Sequence, residues 1–258
     1  MVALASQSLW STELPSLGKS LYGALLSDAA NARALYRSWA RPQRDGPALR
    51  ALTLINYIRA VNQTHPELIT QPWIRKLYNP DLATASIVKA DLEYVSHHWA
   101  DRGFDLWEEI QDLHFFTAIV QRKALVEGRE LALALDDSKA ASWYDSQQLA
   151  LKKFIKKEFW DQRRGHLKAY QRTPSRTGLD CSLMLGSIHG GQSDLYAPWS
   201  DEVLVSTHFI IEQMEGLYPI NKQSPPYYRE DERLRGVGIG RYPEDIYDGV
   251  GTSAGNPW

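Results

Sequence analysis

Three carboxylates lie within five residues, on either side of a tryptophan, in the segment Gly103-Phe104-Asp105-Leu106-Trp107-Glu108-Glu109. Hydrolysis of a glycosidic bond needs a carboxylic acid that gives its proton to the leaving oxygen. A neighbouring carboxylate and an adjacent indole ring both favour the protonated form of a glutamate, as this role requires. Acids are also very common in the first turn of a helix, where the helix dipole favours them. Composition alone therefore favours a helix start here and leaves acid catalysis open.

Two further segments combine arginine, carboxylate and aromatic residues, which are suited to binding and stacking on sugars. The first, residues 39–50, is either a capped helix start at Asp45 and Pro47 or a polar loop at a cleft, with Trp39 as a stacking wall. The second, residues 240–245, places Arg241 near two carboxylates. An arginine in that setting either holds two sugar hydroxyls in a fixed geometry or forms a structural ion pair.

Composition excludes several other classes of protein. The chain has 258 residues, 29 basic and 31 acidic, so its formal net charge of −2 argues against a nucleic-acid or anionic-membrane binder. No apolar run reaches the roughly 18 residues of a transmembrane helix. The single cysteine, Cys181, excludes a disulfide within this sequence and a multi-cysteine metal site. Nine tryptophans and 13 tyrosines against 6 phenylalanines fit a surface that stacks on a flat, hydroxylated ligand.

The spacing of apolar residues predicts an all-α protein, with no strand alternation and no strong hairpin signal. Two connections, residues 100–114 and 218–258, are long and rich in acids, glycines and aromatics, which is typical of functional loops. The predicted helices cover Gly18 to Trp39, Asp45 to beyond Ile58, Asn79 to Trp99, Phe115 to Leu135, Ser146 to Trp160 and Ser200 to about Leu217.

Seven segments, taken in order along the chain, resemble the catalytic domain of glucoamylases, glycoside hydrolase family 15. They are Arg41 to Arg50, Asp105 to Glu109, Phe115 to Thr117, Ala124 to Gly128, Leu185 to His189, Gly240 to Asp245 and Gly255 to Trp258. The resemblance covers residues 39–258 and implies a partial catalytic domain, while residues 1–38 are expected to be a helical segment outside the family. The implied fold is an incomplete (α/α)6 toroid of the six-hairpin glycosidase type, in which an outer ring of helices wraps an inner one.

The resemblance assigns the catalytic roles. Glu108 matches the general acid, and Asp105 matches a pocket aspartate that is assigned as the proton acceptor in some descriptions. The family inverts configuration, which requires two carboxyl groups roughly 6.5–9.5 Å apart. If the segment is helical, the Cβ atoms of Asp105 and Glu108 are only about 5–6 Å apart. We therefore do not expect Asp105 to be the base.

The resemblance also implies the ligand and the residues that bind it. The expected ligand is an α-glucan or maltooligosaccharide, bound by a monomer without a metal or organic cofactor and without a nucleic-acid partner. A secreted or vacuolar location is implied, although residues 1–17 lack the pattern of a signal peptide. The residues expected to bind substrate are Trp39, Arg44, Asp45, Trp107, Glu109, Arg241, Asp245 and Trp258.

Three hypotheses remain open. The first is an exo-acting, inverting glycoside hydrolase that releases glucose from the non-reducing ends of α-1,4-glucans. The second is a truncated, catalytically incompetent fragment that binds glucans weakly at most. It is motivated by two family segments expected outside these residues: one with an arginine and an aspartate that precedes the first motif, and one with the general base that follows Trp258. The third is another toroidal glucosidase, such as a trehalase or a dextran-acting relative.

Overall fold

The structure is a computed structural model of the 258-residue chain, and it describes residues 42–81, 86–172, 176–222 and 236–247. Trp39, Trp258, the segment 1–38 and the helix predicted from Gly18 lie outside these ranges. The α-helices of the described residues are α1 (Gly46–Thr64), α2 (Gln71–Leu77), α3 (Ile87–His98), α4 (Phe115–Ala134), α5 (Ser138–Glu158), α6 (Ser182–Gly190), α7 (Asp201–Glu215) and α8 (Pro219–Lys222). A 3-10 turn, Pro66–Leu68, lies between α1 and α2.

Helix α4 lies at the centre of the packing, because it contacts α1, α3, α5 and α6. Its many apolar residues are buried on several sides, as expected of a helix surrounded by others. Residues 135–137 connect it to α5, and the Asp137 carboxylate accepts the Ala140 N–H at 3.2 Å to cap that helix. The largest fully buried side chains belong to Tyr78, Tyr144, Tyr170, Phe115 and Phe159.

The contact between α4 and α6 depends on a glycine. A Cβ atom added to Gly190 would lie 2.7 Å from the backbone carbonyl carbon of Ile119 in α4, closer than any real side chain approaches. Glycine therefore lets the end of α6 lie directly against the α4 backbone.

The all-α prediction is confirmed for the described part of the chain, with differences in detail. The predicted start at Phe115 is confirmed, but α5 begins at Ser138 rather than at Ser146, because Asp137 supplies the cap. The short helices α2, α6 and α8 were not predicted. None of the helices within the described ranges is long and apolar enough to cross a membrane.

Two short pairs of antiparallel strands lie between helices, one between α3 and α4 and the other between α5 and α6. Strand β1 (Gly103–Phe104) pairs with β2 (Gln111–Asp112), and β3 (Trp160–Asp161) pairs with β4 (His166–Leu167). Trp160, the predicted end of α5, therefore lies in a strand. Each strand has two residues, too few for an alternating pattern to be recognised.

Three connections meet beside the β1–β2 pair. Gln43, just ahead of α1, forms a bridge with Phe104 of β1, and its side chain donates to the Asp105 carbonyl at 3.2 Å. His114, just after β2, forms a bridge with Tyr170. The helices thus bring residues 43–45, 103–114, 170–172 and 176–180 together at one place, which contains the acidic segment singled out in the sequence.

Candidate active site

Glu108 lies in a tight turn between β1 and β2, and not in a helix. The Glu108 N–H donates to the Asp105 carbonyl at 3.0 Å, and the Asp105 N–H donates to the Ile110 carbonyl at 3.1 Å. Glu108 has a φ of 61°, in the left-handed region. The prediction of a helix start here is therefore wrong, and the Cβ separation calculated for a helix does not apply. We call residues 105–110 the acid turn.

Asp105 shapes the acid turn with its own side chain. Its Oδ1 accepts the N–H groups of Glu109 at 2.7 Å and of Ile110 at 2.9 Å. The residue is only 3% exposed. A general base must reach a water beside the sugar, whereas this carboxylate is enclosed and bound to the backbone of the turn. The expectation that Asp105 is not the base thus keeps its support, for a different physical reason.

The indole of Trp107 fixes one side of the acid turn. Its Nε1 lies 3.1 Å from each carboxylate oxygen of Asp180, and the centre of its ring lies 5.6 Å from the guanidinium carbon of Arg241. Glu108 is partly buried, and its Oε2 atom is shielded from solvent. The proton donor proposed from the sequence thus directly follows an anchored tryptophan in the chain, and one of its carboxyl oxygens is shielded from solvent.

Glu109, on the other side of Glu108, is held by two cations. Arg241 Nη1 lies 2.9 Å from its Oε1, and Arg176 Nη2 lies 2.7 Å from its Oε2. The Tyr242 hydroxyl donates to Oε2 at 2.5 Å. Burial, reinforced by this bond to Glu109, raises the pKa of Tyr242 above its ordinary value, so the hydroxyl keeps the proton that it donates.

Arg241 and Asp245 form the ion pair that the sequence suggested for this loop. The bonds are bidentate, Nε to Oδ2 at 2.7 Å and Nη2 to Oδ1 at 2.8 Å, and the Tyr247 N–H also donates to Oδ1 at 2.9 Å. Burial by itself would raise the pKa of Asp245, but the hydrogen bonds and charge of Arg241 outweigh it, and the net direction is downward. The bond to Asp245 in turn raises the pKa of Arg241.

We call Glu109, Arg176, Arg241, Tyr242 and Asp245 the arginine cluster. It contains two cations and two anions, so its formal charge is zero. A guanidinium has five N–H donors, and three of those on Arg241 are used in the contacts described above. The remaining donors, on a side chain that is 15% exposed, suit an uncharged ligand rich in hydroxyl groups.

Arg44 and Asp45 make their contacts away from the arginine cluster. Arg44 Nη1 donates to the Tyr94 hydroxyl at 2.5 Å, and its Nε donates to the Arg102 carbonyl at 3.1 Å. Asp45 is buried at the start of α1, and this burial raises its pKa. The structure therefore places both residues near the beginning of β1, and their predicted roles in sugar binding stay predictions.

Sequence reasoning missed Arg176, Tyr170 and Asp180. Asp180 is fully buried and accepts from the Tyr170 hydroxyl at 2.8 Å, from the Ser182 N–H at 2.7 Å and from Trp107. Burial raises its pKa to about 6, although the hydrogen bonds from these donors partly offset the rise. The sequence gives little signal for the three, because they come from a loop without periodicity and their partners in the acid turn, Trp107 and Glu109, lie 73 and 67 residues away.

Comparison with known proteins agrees with this geometry. The sequence model of glycosyl hydrolases family 15 matches residues 17–258, and so takes in part of the segment 1–38 that the motifs left outside. The chain is 36% identical over 236 residues to a glucoamylase of Blastobotrys adeninivorans, covering 88% of this chain and 36% of that protein. It is also 36% identical over 226 residues to a probable glucoamylase of Schizosaccharomyces pombe, covering 85% of this chain and 43% of that protein.

Solved structures show the same relationship. A glucoamylase from Saccharomycopsis fibuligera superposes with a TM-score of 0.69 at 33% identity, covering 86% of this chain and 46% of that one. A family 15 glucoamylase from Hypocrea jecorina gives a TM-score of 0.68 at 35% identity, covering 86% and 34%. The expected incomplete (α/α)6 toroid is thereby confirmed, and the chain spans less than half the length of each of these four proteins. On the family match and these likenesses together, the chain belongs to glycosyl hydrolases family 15.

Proposed function

We propose that this chain carries the acid-bearing part of a glucan 1,4-α-glucosidase, which releases glucose from the non-reducing ends of α-1,4-glucans. The observation that carries the proposal is the acid turn itself. It presents Glu108 between a tryptophan anchored on a buried carboxylate and a glutamate anchored on two arginines. The glucoamylase names of the relatives support the same activity.

In the proposed reaction, the carboxyl group of Glu108 transfers its proton to the glycosidic oxygen as the bond from that oxygen to the anomeric carbon breaks. A water molecule forms the new bond to the anomeric carbon from the opposite face, and its proton passes to a general base. Asp105 is bound to the turn, while Glu109 and Asp245 are bound to arginines. We therefore assign none of these three as the base.

Substrate binding follows from the chemistry of the arginine cluster. Its compensating charges present hydrogen-bond donors and acceptors without a net charge, which suits a neutral sugar. Arg241 and Glu109 would hold hydroxyl groups in fixed directions, and the indole of Trp107 would stack on a sugar ring or exclude water from it. Trp39 and Trp258, which lie outside the described residues, are proposed as further sugar contacts on the basis of the family resemblance.

The test is glucose release from maltose, maltotriose and soluble starch by the purified 258-residue chain. The matched pair of variants is Glu108→Gln and Glu212→Gln, because Glu212 is an exposed glutamate of α7 that is remote in sequence from the acid turn. We expect Glu108→Gln to abolish release and Glu212→Gln to retain it. Proton NMR of the first product should show the β-anomer, since inversion converts an α-linkage into a β-product.

The alternative hypotheses give different results in the same assay. A folded chain that releases no glucose would contradict activity of this chain alone and support a fragment that binds glucans weakly. Faster cleavage of trehalose or isomaltose than of maltose would favour a trehalase or a dextran-acting enzyme. Titration with maltotriose, followed by tryptophan fluorescence, would then measure whether the chain binds α-1,4-linked glucose at all.

A further inference from the structure

The carboxylate of Asp180 is surrounded by hydrogen-bond donors. It is fully buried, and its two oxygens accept from the Trp107 indole, from the Tyr170 hydroxyl and from the Ser182 N–H. A buried carboxylate is costly unless its lone pairs are satisfied, and here donors from three different segments converge on it. The nearby start of α6 accounts for the bond to Ser182, two residues away. It does not account for the bond to Trp107, which is 73 residues away in sequence.

Two arms lead from Asp180 to the two neighbours of Glu108. The first arm is direct, from the carboxylate to the indole of Trp107. The second passes through the Tyr170 hydroxyl, which accepts from Arg176 Nη1 at 3.2 Å, and Arg176 Nη2 then lies 2.7 Å from Glu109. Hydrogen bonds thus connect one buried side chain to the residues before and after Glu108.

We propose that Asp180 is a positioning residue of the site, whose carboxylate fixes the Trp107 indole and, through Tyr170 and Arg176, the Glu109 side chain, and so sets the direction in which Glu108 is presented. The part of this inference that concerns Glu108 as the acid rests on the proposed function. The positioning of Trp107 and Glu109 does not, because it can be measured without substrate. Asp180 touches no reacting atom in this scheme and acts only through other residues.

The ionised form of Asp180 is the one that fits its surroundings. Protonation would add a donor to a site in which the neighbours already donate. Burial places the pKa of this carboxyl at about 6. Among the other charged or titratable groups near it are Arg176, beyond the Tyr170 hydroxyl, and Arg241, whose carbonyl accepts the Cys181 N–H at 2.8 Å. The Cys181 thiol is adjacent in the chain, and burial together with the charge of Asp180 raises its pKa. His114 and Asp105 lie near Tyr170. We therefore expect the Trp107 indole to report the titration of Asp180.

The experiment follows the Trp107 indole N–H in nitrogen-15 NMR spectra of the full chain, assigned by its loss in Trp107→Phe. Asp180→Ala removes both acceptor oxygens and should speed exchange of this indole proton roughly tenfold or more, the effect of losing a hydrogen bond to a charged group. Asp180→Asn keeps one acceptor oxygen and should restore part of the protection. Tyr170→Phe, the matched control, breaks only the second arm and should leave the indole proton protected.

The pH dependence keeps the inference testable if Asp180→Ala does not fold. In the wild-type chain the Trp107 indole resonance should move with a midpoint near pH 6, and in Asp180→Asn that movement should vanish. A resonance that does not move between about pH 5 and pH 8, or that moves equally in both proteins, would overturn the inference. So would unchanged indole exchange in a folded Asp180→Ala protein.

Addition of maltotriose separates this inference from the proposed function. If glucans bind as proposed, the wild-type Trp107 resonance shifts with maltotriose and the shift weakens in Asp180→Asn. If maltotriose has no effect while the variants change indole exchange and its pH dependence as described, Asp180 positions Trp107 as inferred and the proposed function is what fails.

Discussion

Because the backbone of Glu108 is left-handed, we expect a glutamate at this position to lower the stability of the folded chain. At a φ of 61° a residue with a Cβ atom is less favourable than glycine by about 1–2 kcal/mol. Glycine also makes the unfolded chain more flexible, which offsets about 0.4–1 kcal/mol of that gain. We therefore expect Glu108→Gly to be more stable than Glu108→Ala by about 0.5–1 kcal/mol.

The measurement is urea unfolding of both variants, followed by far-ultraviolet circular dichroism, with the free energy of unfolding taken from the midpoint and slope. Asp136 provides a matched control, because it has a φ of 60°, is exposed and lies in the connection between α4 and α5. The free energy of unfolding of Asp136→Gly should exceed that of Asp136→Ala by the same amount. This pair of variants measures how far glycine is favoured over alanine at a left-handed position that has no proposed catalytic role.

The reasoning is refuted if glycine is favoured over alanine at position 136 but not at position 108. The acid turn would then not hold its left-handed conformation in solution. If glycine is favoured at both positions, the glutamate at 108 is retained against a measurable preference of the backbone. Under the proposed function, Glu108→Gly then combines higher stability than Glu108→Ala with complete loss of glucose release.

Three further predictions concern stability. Gly190→Ala should lower the free energy of unfolding by about 1–3 kcal/mol, because the new Cβ meets the Ile119 backbone rather than a movable side chain, and urea unfolding measures this. Asp194→Asn should lower the free energy of unfolding by about 1–2 kcal/mol at pH 7, because it leaves Arg122, which is only 4% exposed, without its charged partner. The loss is smaller than for a fully buried ion pair, since Asp194 itself is 46% exposed. The pKa of Asp194 is lowered to about 2, so this loss should persist to about pH 4 and shrink as the pH falls further. For Asp180 the sign is opposite, because its folded pKa of about 6 exceeds the ordinary 3.8. The free energy of unfolding of the wild-type chain relative to Asp180→Asn should therefore fall by about 2 kcal/mol between pH 4 and pH 7, as thermal unfolding at each pH would show.

Much of the helical scaffold could be predicted from the sequence, because its signals are local. The start of α1 follows from the preference of proline for the first turn of a helix, and the position of α4 follows from the spacing of its apolar residues. The start of α5 was misplaced by eight residues, because the feature that decides it is a hydrogen bond from the Ala140 N–H to the Asp137 side chain. The strand pairs could not be predicted, since each strand has only two residues and cannot show the alternation of apolar and polar residues that marks a strand.

The candidate site could be predicted as a set of residue types but not as an arrangement. The family resemblance assigns the proton donor to Glu108, and the residue types around Arg241 allow either an ion pair or a grip on sugar hydroxyls. The role of Asp105, however, depends on which backbone N–H groups its oxygen meets, and the importance of Asp180 depends on Trp107, which is 73 residues away. Contacts of this kind arise only after the helices have packed.

The turn explains how three carboxylates lie so close in sequence without sharing one environment. On a helix, Asp105, Glu108 and Glu109 would lie on one face within about 5–6 Å, where like charges repel. In the observed turn, Asp105 is directed to the backbone N–H groups of residues 109 and 110, and Glu109 is directed to Arg176 and Arg241. The left-handed residue between them reverses the chain direction and makes this separation possible. The backbone cost at Glu108 is therefore tied to the chemistry proposed for it, because it gives the proton donor surroundings different from those of the carboxylates on either side.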